Sequence, residues 1–356
     1  MKKIRIALIG AGNIANTHLD AYRALPNVEI AAICDIDESR LATTADKYGI
    51  ANRYTGVESM LAAEKDLDGA DVCVWNCNHA ACTIAALEAG LNVLCEKPMA
   101  YNTAEATKML ECAKRNNKYL MIGFVSRYNP ESIVVKDYID KGFLGEIYYA
   151  RAHYVRRHGN PGGWFSDKSR SGGGPVIDLG VHVIDRARFM MGRPKPISVY
   201  AATFDKLGRR DNLKTAVNWS PVGASPADIC DVEDLGTALI RFDNGAVIQL
   251  ETSYSLNCES ASNNGLDLYG TKGGFSTGRG HLALYTEIND YMADVNIDIQ
   301  RLKNSRSNFV AEMADFVDAI ATGRTDTESA EDGVAVMQIL DAIYESARTG
   351  HEVVID

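Results

Sequence analysis

The chain has 356 residues, of which 46% are hydrophobic and 24% charged, and a formal net charge of −10. That length supports two domains with separate cores, and the balance is that of an ordinary soluble globular protein. The acidic excess argues against nucleic acid or an anionic membrane as the main partner and leaves small metabolites open.

The opening MKKIRIALIGAGNIA couples a basic start to a short apolar run that enters a glycine turn, so it reads as a strand and not as a leader. No segment approaches the roughly 18 consecutive apolar residues of a membrane span. The eight cysteines (Cys34, Cys73, Cys77, Cys82, Cys95, Cys112, Cys230 and Cys258) mostly lie in apolar stretches without CxxC or metal-finger spacing. Reduced thiols in a cytoplasm are expected, and no metal site.

From residue 3 to about 122, short apolar runs (KIRIALI, VEIAAICD, ADVCVWN, LNVLCE, KYLMIGF) alternate with amphipathic stretches. This rhythm predicts a doubly wound parallel sheet, a Rossmann domain over residues 1–122. Gly10, Gly12 and Ala15 take the GxGxxA spacing directly after the first strand, with Asn13 and Ile14 opening the helix. Gly10 permits the tight turn, Gly12 lets the backbone approach a pyrophosphate, and the helix start offers it free N–H groups. Asp35 ends the second strand, where a carboxylate accepts hydrogen bonds from ribose hydroxyls and repels a 2′-phosphate, so NAD is favoured over NADP. Arg40, on the next helix, could serve a 2′-phosphate but is expected to face solvent.

WNCNHAAC ends another strand and offers Asn76, Asn78 and His79 to the nicotinamide side of the crevice. LNVLCEKPMA ends the next with Glu96, Lys97 and Pro98, beyond the carboxyl end of a buried strand, where ligands of open α/β sheets bind. An ammonium there could stabilise a developing alkoxide or relay its proton. Asn102 and Glu105 resemble a capping box for the helix that follows.

After residue 122 longer strands with period-two alternation appear (GEIYYARAHYV, ISVYAATF, LGTALIRF, AVIQLETSYS), the last two flanking a DNG hairpin signal. A second, α+β domain with a mostly antiparallel sheet is expected over residues 123–356, including two closing helices with glycine C-caps. Its loop HYVRRHGNPGGWFSDK carries Tyr154, Arg156, Arg157, His158, Trp164 and Lys168, groups that grip polyols, and Arg127 of SRYNPES is a further candidate. In GGGPVIDLGVHVID, Pro175 suits a helix start, and the i, i+4, i+7 spacing puts Asp178, His182 and Asp185 on one stripe of a largely apolar helix. On its own that stripe reads as a core hydrogen-bonded pair or as a metal site lacking its third ligand.

Taken together, GAGNIA, CDID, NCNH, CEKP and GGGPVIDLGVHVID resemble the Gfo/Idh/MocA family, the glucose-fructose oxidoreductase and inositol dehydrogenase group, over nearly the whole chain. The resemblance implies a Rossmann domain followed by a domain with a large open sheet whose exposed face serves in homodimers or homotetramers. It implies Lys97 as the catalytic lysine and Asp178 with His182 as the catalytic pair, which also touches substrate. The activity implied is NAD(P)-dependent oxidation of a secondary hydroxyl of a sugar, sugar derivative or cyclitol, or reduction of the ketone. In that reading His182 takes the hydroxyl proton, Asp178 orients the imidazole, and Lys97 holds the oxygen. Two other classes stay in view: a redox-neutral glycosidase or lyase that oxidises its sugar transiently, and a non-catalytic NAD-responsive regulator. The intact Lys97, Asp178 and His182 argue against the last.

Overall fold

The computed structural model describes residues 3–215, 217, 219–221, 223–225, 227–259, 262–278, 281–299 and 306–355. In chain order the elements begin β1 (Ile4–Ile9), α1 (Asn13–Arg23), β2 (Val28–Cys34), α2 (Glu38–Tyr48), β3 (Asn52–Tyr54), α3 (Val57–Ala63) and β4 (Gly69–Val72). They continue with α4 (His79–Glu88), β5 (Asn92–Glu96), α5 (Thr103–Asn116), β6 (Leu120–Gly123), α6 (Pro130–Asp140) and β7 (Ile147–Arg156). A short helix α7 (Lys168–Ser171) precedes one π-helical turn (Val176–Gly180), which runs directly into α8 (Val181–Met190). The rest is β8 (Pro196–Phe204), β9 (Leu235–Phe242), β10 (Val247–Ser253), β11 (Ser262–Gly270), β12 (Gly273–Gly278), β13 (His281–Ile288), β14 (Tyr291–Asn296), α9 (Asn308–Thr322), α10 (Glu328–Thr349) and β15 (Val353–Val354).

Two compact units result, residues 1–125 with 306–337, and residues 126–305 with 338–356. The first holds a six-stranded sheet in the order β3-β2-β1-β4-β5-β6, every pair parallel. Covered on both faces, β1 is apolar along its buried length: Ile6, Ala7, Leu8 and Ile9 are at most 1% exposed. The strand order reverses beside β1, so the loops after β1 and β4 open a crevice at their carboxyl ends. The capping box forms, with Asn102 Oδ1 accepting the Glu105 N–H at 3.0 Å.

The first break between units falls at 125/126, near the expected 122, but residues 306–337, expected in the second domain, cluster with the first unit. α9 packs on α1, Ile122 N donates to Ser329 Oγ at 2.9 Å, and Arg324 donates to the Tyr119 hydroxyl at 3.0 Å while lying over its ring. An amphipathic pattern gives a helix its buried face but does not say which core receives it.

The second unit is built on a nine-stranded sheet, β14-β13-β12-β11-β7-β10-β9-β8-β15, antiparallel except where β7 meets β10. DNG turns β9 into β10 with Gly245 at φ +84°, as its spacing predicts. Along β9 and β10 buried and outward residues alternate, and α8 packs against β7, β10 and β11, where Ala150, Ala152, Ile248, Leu250, Leu266 and Leu268 are buried. The exposed alternates include Tyr200 and Leu239, which pair in register across β8 and β9, and beyond them Tyr149 stacks on Tyr269. No helix among the described residues is long and apolar enough to cross a membrane.

Candidate active site

In the first unit, Gly10 turns the chain out of β1 at φ +100°, and a Cβ there would come within 2.5 Å of the Cys73 carbonyl. Gly12 differs, since nothing lies within 4 Å of the Cβ it lacks. As the N-cap of α1 it provides no side-chain cap, and the first turn carries no acid. The opening amides of α1, with Asn13 and Ile14 as its first residues, thus face open space in a form suited to a phosphate. A dinucleotide fits this cradle.

Asp35 braces the turn as it closes the second strand: Oδ2 accepts the Ala11 N–H and Oδ1 the Asp37 N–H, both at 2.8 Å. A carboxylate has roughly four lone-pair sites, so capacity for ribose hydroxyls remains. Arg40 does not turn to solvent as expected. Its guanidinium lies 3.3 Å from Asp35 and 3.4 Å from Asp37, drawn in by the two carboxylates.

At the neighbouring strand ends, Asn76 is buried and Asn78 exposed on one 3₁₀ turn, and Lys97 is half-buried, joined to Pro98 by a cis peptide bond. His79 and Glu96, read from the sequence as cofactor contacts, are buried and take partners within the unit. His79 Nδ1 lies 2.7 Å from the Pro98 carbonyl and Nε2 3.1 Å from that of Val74, and burial holds its pKa below the usual imidazole value. Glu96 Oε1 contacts His18 Nε2 at 3.1 Å, while Oε2 accepts the Lys97 N–H at 2.9 Å. Glu96 thus has two donors within the unit, and the neutral His79 ring gives its one N–H to one of two carbonyls.

In the second unit, the stripe read from i, i+4, i+7 spacing divides, because Asp178 sits in a π turn and His182 and Asp185 in the α-helix after it. Asp178 is buried and accepts the Tyr254 hydroxyl at 2.9 Å. Burial pushes the Tyr254 phenol well up, and the Asp178 carboxylate adds to the shift, so the phenol stays a donor. Asp185, 1% exposed, forms a two-point pair with Arg127, at 2.9 Å from Nε and 2.5 Å from Nη2. The Arg127 guanidinium also lies over the Phe189 ring. Expected against substrate, Arg127 is engaged within the unit, since Asp185 would otherwise be a buried carboxylate short of a counter-charge.

His182 is half-buried one helical turn beyond Asp178. Arg156 donates to the Gly159 carbonyl at 3.1 Å and lies over the Tyr154 ring. Burial works against its charge, yet Asp178 and Tyr154 outweigh it and hold the guanidinium pKa up. His158 Nδ1 is buried and makes no hydrogen bond among the described residues. Trp164 sits on a 3₁₀ turn against Phe165, whose ring meets the half-exposed Trp219 edge-on.

Three supports escape the sequence reading. Glu233 accepts the Gly174 and Val176 N–H groups at 3.0 and 3.1 Å and the Tyr344 hydroxyl at 2.9 Å, and so fixes the entry to the π turn. Tyr254 fixes Asp178, and His18 fixes Glu96. Each partner lies 57 or more positions away in sequence, beyond the reach of any spacing rule.

Family models match both parts of the chain: an oxidoreductase family with an NAD-binding Rossmann fold over residues 4–124, and its C-terminal alpha/beta domain over 136–355. The chain is 34% identical to the D-glucoside 3-dehydrogenase of Escherichia coli (strain K12) over 352 residues, 98% of this chain and 97% of the relative. It is 29% identical to the levoglucosan dehydrogenase of Pseudarthrobacter phenanthrenivorans, covering 98% and 97%. A solved levoglucosan dehydrogenase in complex with NADH and levoglucosan superposes with a TM-score of 0.83 at 26% identity, covering 99% of this chain and all of the other.

Gly10 and Gly12 are expected to separate fold from binding. Gly12→Ala should melt within about 2 °C of the wild type and bind NAD at least about tenfold more weakly, read by calorimetry and fluorescence titration. Gly10→Ala should lose both, because its Cβ meets backbone.

The His18 pair yields a pH dependence. Burial opposes its charge, but the Asp71 carboxylate outweighs burial and raises its pKa well above the usual value. The stabilisation is therefore complete below the unfolded value, about 6.5, and lost as pH rises through the folded one. The melting-temperature gap between wild type and His18→Gln should be widest near pH 6 and shrink in alkaline buffer.

Proposed function

We propose that this chain, which belongs to the Gfo/Idh/MocA oxidoreductase family, is an NAD-dependent dehydrogenase of a secondary hydroxyl on a sugar, sugar derivative or cyclitol. The observation that carries the reading is Asp178, held out of water by Tyr254 beside Arg156, with a histidine one turn further on. A fixed buried carboxylate near an imidazole is the arrangement a general base requires.

The Gly10–Asn13 turn and the start of α1 receive the pyrophosphate, Asp35 the adenosine ribose, and Asn76, Asn78 and Lys97 the nicotinamide half. When bound, NAD supplies the acceptor for the hydride. His182 takes the proton from the substrate hydroxyl as the carbon–oxygen double bond forms. Asp178, fixed by Tyr254, stabilises the imidazolium that results. Lys97 lowers the cost of negative charge growing on the oxygen. In the reverse direction the same proton returns from His182 to the ketone oxygen.

Glucosides and levoglucosan, the sugars named for the relatives, have pyranose rings with the anomeric oxygen blocked. A substrate of this kind suits the second unit here: Trp164, Phe165 and Trp219 offer aromatic surface to ring C–H groups, and Tyr154, Arg156 and His158 offer polar contacts. The eight unbridged cysteines suit a cytoplasmic enzyme. The bare face of the large sheet, with Tyr200, Leu239 and Tyr285 exposed, suits a second copy of the chain, giving a homodimer or homotetramer.

With NAD and a panel of glucose, methyl glucosides, levoglucosan and myo-inositol, the purified protein should generate NADH absorbance. His182→Asn should lower kcat by at least about a hundredfold. Near-normal turnover by that variant would remove His182 as the base. Aglycone release from an aryl glucoside without net NADH would instead identify redox-neutral cleavage.

Leu239→Glu is expected to shift the mass in light scattering toward the monomer. An unchanged mass would place the copy-to-copy contact elsewhere.

A further inference from the structure

His18 lies on α1, fully buried, at a position that the dinucleotide turn does not use. Its Nδ1 is 2.9 Å from Asp71 Oδ2 on β4, and its Nε2 is 3.1 Å from Glu96 Oε1 at the end of β5. A neutral imidazole has a single N–H, so a ring with a carboxylate at each nitrogen is an imidazolium donating to both.

The groups around it close the arrangement. Cys73 Sγ is 3.4 Å from Nδ1 and 3.3 Å from Asp71 Oδ1, and burial pushes its thiol well up, so the sulfur stays protonated as a donor. From α9, the Phe309 ring packs 5.8 Å from the imidazole, and the buried Glu312 and Tyr22 stand behind. On β6, Gly123 leaves room for Glu96, since a Cβ there would come within 3.1 Å of Oε1. The carboxylate has one place to be. Its second oxygen accepts the Lys97 N–H at 2.9 Å, so the cation on α1 is linked through two hydrogen bonds to the main chain that carries the lysine.

We propose that His18 is a positioning residue for Lys97, acting through the Glu96 carboxylate it holds against the Lys97 main chain. The inference rests on the reading of Lys97 as a catalytic group. Without the imidazolium, Glu96 loses the donor at Oε1, and its grip on the Lys97 amide is no longer fixed. The ammonium is then spread over more directions, which costs turnover more than binding.

The test is a double-mutant cycle on the full-length protein with His18→Gln, Lys97→Met and both together. Each is assayed with saturating NAD and the fastest sugar of the panel above, alongside NAD affinity by fluorescence and melting temperature. His18→Gln should lower kcat about tenfold or more, with KM and NAD affinity within about threefold, and should cost under about twofold in the Lys97→Met background. Equal losses in both backgrounds, or a loss carried by NAD affinity, would overturn the proposal. Should His18→Gln melt below the assay temperature, Glu96→Gln runs the same cycle, keeping the size of the side chain while removing its charge. If Lys97→Met alone leaves kcat unchanged, the reading of Lys97 fails and this inference with it, an outcome distinct from additivity at His18.

Discussion

A carboxylate removed from water must find donors, and each half of this protein's chemistry is arranged around that requirement. Asp35 finds the Ala11 amide at the fingerprint turn and the Asp37 amide beside it, and Glu96 finds His18 and the Lys97 amide. Asp178 finds Tyr254, Asp185 finds Arg127, and Glu233 finds the amides that begin the π turn. An unmet donor or acceptor at any of these places would cost roughly 1–3 kcal/mol, more for a charge, so the backbone around each has little choice of conformation. Rigidity where chemistry is proposed follows from the same cost.

The pairings also divide labour between residues of one type. On a single stretch of helix, Asp185 is tied to a guanidinium by two contacts, while Asp178 has a neutral phenol as its direct partner and Arg156 as a neighbouring charge. An aspartate neutralised at both oxygens is a structural anchor. One that accepts from a phenol can direct its field at a nearby imidazole.

The architecture was legible because its signals are local: apolar runs for a parallel sheet, alternation for the antiparallel one, and GAGNIA and DNG for two turns. Lys97, Asp178 and His182 could be named from motifs and the resemblance they carry. The partners of those residues could not. Tyr254 ends a strand that reads as ordinary core, Glu233 stands in a loop, and His18 looks like one polar residue in an amphipathic helix. Their meaning depends on pairs 57 to 78 positions apart in sequence. The π turn was hidden for another reason: VIDLG is compatible with an α-helix, and Glu233 and Tyr254 pull on it only after folding. The destination of α9 escaped in the same way, since apolar spacing does not choose between two cores.

That returning segment bears on how the protein is made. The first unit takes residues 1–125 and 306–337, so its earlier piece must wait for a segment that lies beyond the whole sheet of the second. While the sheet of the second unit is being translated, α1 lacks the helix that packs on it, and the side of His18 that Phe309 covers stands open. The first unit is thus completed only after the sheet of the second has been translated, and no single cut of the chain yields that unit whole.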